Sequence, residues 1–90
     1  MKGTKLDAGK LRWDLMPFKE LDKITDILTY GADKYAPDNW KKVDKERYQA
    51  ALLRHFSLYM QGEKKDSESG REHLAHVATN AIFLLSLDSE

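Results

Sequence analysis

The sequence predicts an all-α protein, a small helical bundle of three principal helices with an irregular N-terminal arm. Apolar residues recur at three- and four-residue spacing over three separate stretches, and no stretch alternates apolar and polar residues as a half-buried strand would. The breaks between the stretches fall on proline, glycine and asparagine. Residues 1–16, with Gly3, Gly9 and alternating Lys and Asp, hold no sustained period and make the arm. The first helix is expected over residues 17–35, because Pro17 suits a first helical position and Phe18, Leu21, Ile24, Ile27, Leu28, Ala32 and Tyr35 share one face. Asp22, Asp26 and Asp33 lie opposite, as a wet face or as a reserve of metal ligands, and Ala36-Pro37-Asp38-Asn39 ends the helix. The second is expected over residues 44–61, with Asp44 as N-cap, Glu46 in the first turn and Gly62 beyond the end. Gln61 to Gly70 is polar and rich in turn residues, and the third helix is expected over residues 70–87.

Size and charge narrow the function classes. Ninety residues make one domain, residues 1–90, whose single small core would gain from a self-association surface. The 15 Lys and Arg cancel the 15 Asp and Glu, which removes the basic footprint needed to bind a nucleic acid polymer. With 41% hydrophobic and 33% charged residues and a mean hydropathy of −0.67, the chain is expected to be globular and not disordered. The longest mostly apolar stretch, residues 75–87, falls short of the roughly 20 residues a bilayer requires, so no membrane partner is expected. No signal peptide is recognised, and the absence of cysteine excludes disulfides, thiolate zinc sites and thiol nucleophiles; a cytoplasmic location is the simplest reading.

The third helix carries the most informative pattern. Leu74, Val77, Ala78, Ala81, Ile82 and Leu85 occupy one face, while His73, His76 and Asn80 fall within about 60° of one another on a different one. Two readings stand side by side: a solvated polar face, or a site into which both imidazoles point. Glu63, Asp66 and Glu68 crowd the start of the helix, so Glu63, Asp66, His73 and His76 are candidate ligands of a divalent metal. A site using both imidazoles would favour Mn²⁺, Co²⁺ or Zn²⁺, and a carboxylate-only site Mg²⁺. Glu68 is the candidate base for a metal-activated water. His55 is expected to stand behind the ligands, donating a hydrogen bond to one of the carboxylates. Arg47 and Arg54 are seven residues apart and face the same way, as a solvated stripe or as guanidinium forks for phosphate. Lys34, Tyr35, Asn39 and Trp40 bring a cation, an amide and aromatic planes into one short turn, a combination that suits a nucleotide, although a Trp there also suits the cap of a small bundle. Phe83, Leu84 and Leu87 extend the apolar surface of the third helix around its circumference, which predicts a homodimer or higher oligomer.

Several motifs together resemble the phage dATP/dGTP diphosphohydrolase family, related in style to the MazG-like all-α nucleotide pyrophosphohydrolases. They run in order: Lys5-Leu6-Asp7-Ala8-Gly9-Lys10-Leu11-Arg12-Trp13-Asp14-Leu15, Gly31-Ala32-Asp33-Lys34-Tyr35 with Asn39-Trp40, Arg54-His55, Gly62-Glu63 with Asp66-Ser67-Glu68-Ser69-Gly70, and His73-Leu74-Ala75-His76 with Asn80. The resemblance implies metal-dependent hydrolysis of a purine deoxynucleoside triphosphate, dGTP or dATP, to the monophosphate and diphosphate, with Mg²⁺ or Mn²⁺ as cofactor, in a phage-infected host's nucleotide pool. Such chemistry needs metal and cations against the polyphosphate, and a base for water. On this basis Lys34 and Arg54 are expected on the phosphates and Asn39 and Trp40 near the base. Asn80 is expected to reach the substrate beside the histidines, Lys10 and Arg12 to close over it, and Lys34 with Glu68 to act in catalysis. MazG-like enzymes hold metal with an E-x-x-E and an E-x-x-D pair; here only Glu63-x-x-Asp66 fits, and His73-x-x-His76 stands where an acidic pair is expected. The competing readings are a nucleotide-binding module that has lost catalysis and a plain helical interaction module.

Overall fold

The computed structural model describes residues 3–89. Residues 1, 2 and 90, the ends of the expected arm and domain, lie outside it. Three α-helices make up the bundle: α1 (Phe18–Lys34), α2 (Lys45–Met60) and α3 (His73–Asp88), with 3-10 turns at Trp13–Leu15 and Asn39–Lys42. Among the described residues there is no strand, only an isolated antiparallel bridge between Lys65 and Glu72. Gly31 sits inside α1 without interrupting it, and Asp44 takes the N-cap position of α2 with no side-chain capping bond. No helix among the described residues is long and apolar enough to cross a membrane.

The third helix starts three residues later than its sequence suggests. The chain before it is held in a closed loop: Gly70 N–H donates to Asp66 O at 2.8 Å, Asp66 N–H to Arg71 O at 2.8 Å and His73 N–H to Lys64 O at 2.9 Å. Gly70 has φ +73°, a left-handed conformation that glycine adopts without a Cβ clash and that breaks helical continuity at residue 70. The donors of residues 66, 70 and 73 are thereby paired within the loop, and the helix begins at the last of them.

α2 and α3 form an antiparallel hairpin, with Lys45 at the start of α2 3.7 Å from Asp88 at the end of α3. α1 packs on α3, tied at its base by Lys23 to Glu72 (2.6 Å) and by Arg71 to Asp26 (2.8 Å), the Arg71 guanidinium lying 4.4 Å from the Tyr30 ring centroid. Asp26, from the acidic stripe, is thus engaged by an arginine. The turn after α1 is pinned by Trp40, stacked on Phe83 at 4.7 Å, and by the Tyr48 hydroxyl, which donates to Trp40 O at 2.8 Å.

The interior is polar. Ile27 is the one buried hydrophobic side chain among the described residues; the others are His55, His73, Thr79 and Asn80. α3 is therefore oriented with His73, Thr79 and Asn80 inward, while Leu74, Ile82 and Leu85 of its expected core face are exposed. The solvated-face reading of His73 and Asn80 is overturned by their burial. The inward polar groups are tolerated because each has a partner: no buried side-chain nitrogen or oxygen among the described residues lacks a hydrogen bond.

Candidate functional site

The site grows from His73, the first residue of α3, which has no exposed surface. Its Nε2 lies 2.7 Å from Glu63 Oε2, and its Nδ1 lies 2.8 Å from Nδ1 of His55 on α2. One turn along α3, the His76 ring stacks on His55 at 4.3 Å with 5° between planes, and its Nε2 lies 2.7 Å from Ser69 Oγ. The loop between α2 and α3 wraps over these rings and brings in acid: Asp66 Oδ2 accepts from Ser69 N–H at 2.8 Å. His55, Asp66 and His73 each offer one ligand atom, and the three atoms lie within 4.8 Å of one another. A divalent cation needs such convergence, and this is the group that can hold one.

Electrostatics prepares the donors. Burial pushes His55 down to about 4, with His76 and His73 adding to the shift against the pull of Asp66. Burial lowers His76 as well. Burial raises Asp66, but the Ser69 hydrogen bonds and the neighbouring His55 and His76 outweigh it and hold the carboxyl below its usual range. Near neutral pH these two imidazoles keep a free lone pair and Asp66 is anionic.

A cavity of about 900 Å³ opens beside the cluster, between the end of α1 and the α2–α3 hairpin. That volume lies within the range of small-molecule sites, roughly 300–1,000 Å³. His55 and His76 line it together with Asn39, Trp40, Arg47, Arg54 and Asn80, so the helical stagger of α2 turns one imidazole and two guanidinium groups to the same space.

The structure thus brings Asn39, Trp40, Arg54 and Asn80 to one cavity, the Asn80 amide donating to His76 O at 2.9 Å. Lys34 is not in its lining; it lies 3.6 Å from Glu68, whose side chain is 78% exposed. Neither Lys34 nor Glu68 belongs to the three-ligand group. Lys10 and Arg12 stand on the exposed arm, with Arg12 2.7 Å from Asp14. The positions of the histidines differ from expectation. His55 contacts an imidazole and not a carboxylate, and it joins Asp66 and His73 as a donor, whereas His76 is bonded to Ser69. Glu63 reaches the site only through His73. Sequence reasoning missed Ser69 and Tyr30, whereas Arg47, read from its seven-residue spacing to Arg54, lines the cavity with it.

The sequence profile of a family described as dATP/dGTP diphosphohydrolase, N-terminal, matches residues 1–90. A protein of Salmonella phage PMBT28 named dATP/dGTP diphosphohydrolase is 31% identical over 87 residues, which are 97% of this chain. The chain spans 30% of that relative's length. No solved structure matches.

Proposed function

Because this chain belongs to the family described as dATP/dGTP diphosphohydrolase, N-terminal, we propose that it binds a purine deoxynucleoside triphosphate, dGTP or dATP, and hydrolyses it to the monophosphate and diphosphate with a divalent metal, Mg²⁺ or Mn²⁺. The observation that carries the reading is the double placement of His55, which lines the cavity and also belongs to the three-ligand group. A nucleotide in the cavity therefore meets a metal-binding cluster at its wall. In the reaction water attacks the α-phosphorus, the bond from that phosphorus to the bridging oxygen breaks, and diphosphate leaves.

Each group in the chain has a part in this. Arg47 and Arg54 present guanidinium forks to the polyphosphate, whose charge grows toward the leaving group. Asn39 and Trp40 form the wall for the base, and Asn80 fixes the sugar side near His76. The donor set fits a divalent ion: two imidazoles, that of His55 held neutral by burial, and an anionic carboxylate held by the loop. Bound there, the metal supplies charge neutralisation and a more acidic water. Glu68, two residues from Asp66, is the proposed base and Lys34 beside it a charge-neutralising partner. Lys10 and Arg12 close over the bound polyphosphate from the arm. The proposed setting is a host-cell cytoplasm, and the proposed assembly a homo-oligomer.

One observation favours a second reading, a nucleotide-binding module without catalysis: Glu68 is ion-paired with Lys34 and lies outside the ligand group. Calorimetry with dGTP, dATP, dCTP and dTTP, followed by product chromatography in Mg²⁺ or Mn²⁺, separates the two. Hydrolysis of the purine nucleotides supports the first reading; tight purine binding without products supports the second. Arg54→Ala is expected to weaken dGTP binding by about 10- to 150-fold, as loss of one charged hydrogen-bonding partner of about 1.5–3 kcal/mol implies.

A further inference from the structure

We infer that this cluster is a nitrogen-rich centre selective for a borderline transition metal over Mg²⁺, with His55, His73 and Asp66 as ligands and Glu63 as the residue that positions His73. The inference refines the metal of the proposed function but is tested without nucleotide, so either can fail alone.

The tautomers carry it. A carboxylate only accepts, so the 2.7 Å contact between Glu63 Oε2 and His73 Nε2 places a proton on Nε2 and leaves the neutral ring's lone pair at Nδ1. That lone pair points at a second imidazole nitrogen, His55 Nδ1, 2.8 Å away. Two nitrogens this close need something positive between them, either a proton or a metal. A shared proton needs no third donor, yet Asp66 converges within 4.8 Å, locked by Ser69 in a loop that also bonds back to His73 N–H. Metal–nitrogen bonds of about 2.0–2.1 Å would separate the two nitrogens to roughly 3.0–3.4 Å, an adjustment of a few tenths of an ångström. The proton on His55 Nδ1 then moves to its Nε2, and charge and atoms balance without any other reactant. His76 stands outside the three-atom group; its Nε2 meets Ser69 Oγ and its ring stacks on that of His55. Glu63 behind a ligating histidine completes the carboxylate–histidine–metal arrangement that orients a ligand and raises its basicity. Two imidazoles and one carboxylate suit Mn²⁺, Fe²⁺, Co²⁺ or Zn²⁺, whereas Mg²⁺ prefers an all-oxygen shell. This donor set differs from the carboxylate pairs of the MazG-like pattern.

The test is metal titration of chelator-stripped protein, read by calorimetry and by the visible absorption of bound Co²⁺. One equivalent of Co²⁺ or Zn²⁺ is expected to bind at least about tenfold more tightly than Mg²⁺. His55→Gln and Asp66→Asn are expected to abolish the Co²⁺ spectrum or shift it with loss of affinity. Glu63→Gln is expected to cost about 10- to 100-fold in affinity at unchanged stoichiometry and spectrum, which separates a positioning residue from a ligand. Asp22→Asn, on the exposed side of α1, is expected to change nothing. Equal affinity for Mg²⁺ and Co²⁺, or no binding at all, overturns the inference in the wild-type protein, where no variant has to fold. A Co²⁺ spectrum unaltered in folded His55→Gln, or altered in Glu63→Gln, overturns the ligand assignment.

Discussion

His73 does the work that a leucine does in most small bundles, filling the centre of the interface between α2, α3 and their loop. Both of its ring nitrogens are engaged, by Glu63 and by His55, so its removal leaves two polar partners without a contact as well as a void. His73→Ala is expected to destabilise the fold by about 3 kcal/mol, from the lost hydrogen bonds and cavity together, measured as a fall in the urea midpoint. Acid should act on the same cluster through His55. Its ordinary value of 6.5 falls to about 4 in the fold, so below pH 6.5 the unfolded chain binds a proton that the folded one refuses. The stability conferred by the neutral ring is therefore full above pH 6.5 and lost as pH falls toward 4, by about 3 kcal/mol. Urea unfolding at pH 7.5 and at pH 4.5, in a chelator, should show that loss, and His55→Gln should flatten it.

The elements differ in how far the sequence reveals them. The three helices follow from apolar spacing and from Pro17, Pro37 and Gly62, and their observed ends differ from expectation by one to three residues. The facing of α3 does not follow. Leu74, Ala78, Ala81, Ile82 and Leu85 span about 100° of the helix and make a stronger apolar stripe than the side that is buried. What holds His73 and His76 on the inner side is the set of partners on other elements, Glu63, His55 and the loop at Ser69, and spacing along one helix carries no information about them. The same loop hides the start of α3, because its pairings between residues 64 and 73 are not periodic. Gly70 shapes that loop through its left-handed backbone, φ +73°. A Cβ there meets open space, so Gly70→Ala costs only the left-handed backbone conformation, about 1–2 kcal/mol, and is expected to loosen Asp66 and weaken metal binding in calorimetry.

The whole chain exposes more than a compact monomer should. Its accessible surface is 7387 Å², against about 5,400 Å² for a compact fold of 10.4 kDa. Its radius of gyration is 16.6 Å, against about 12 Å for 90 residues. The excess of about 2,000 Å² per chain is of the size that obligate homodimers bury. The outer stripe of α3, with Leu74, Ile82 and Leu85, and the neighbouring Leu53, Phe56 and Met60 of α2 are exposed, as are Leu6, Leu11 and Trp13 on the arm. α3 buries His73, Thr79 and Asn80 on its inner side and leaves an apolar stripe outward, and we propose that a second copy covers that stripe. Light scattering is expected to give a mass of twice 10.4 kDa or more, and Ile82→Glu to shift it toward the monomer.

The proposed reaction is cleavage of a purine deoxynucleoside triphosphate between its α- and β-phosphorus. Phosphorus NMR of dGTP incubated with the wild-type protein and Mn²⁺ tests it most directly. The expected result is the growth of dGMP and diphosphate resonances in equal amounts, with no dGDP. Unchanged dGTP, or release of orthophosphate with dGDP, would contradict it.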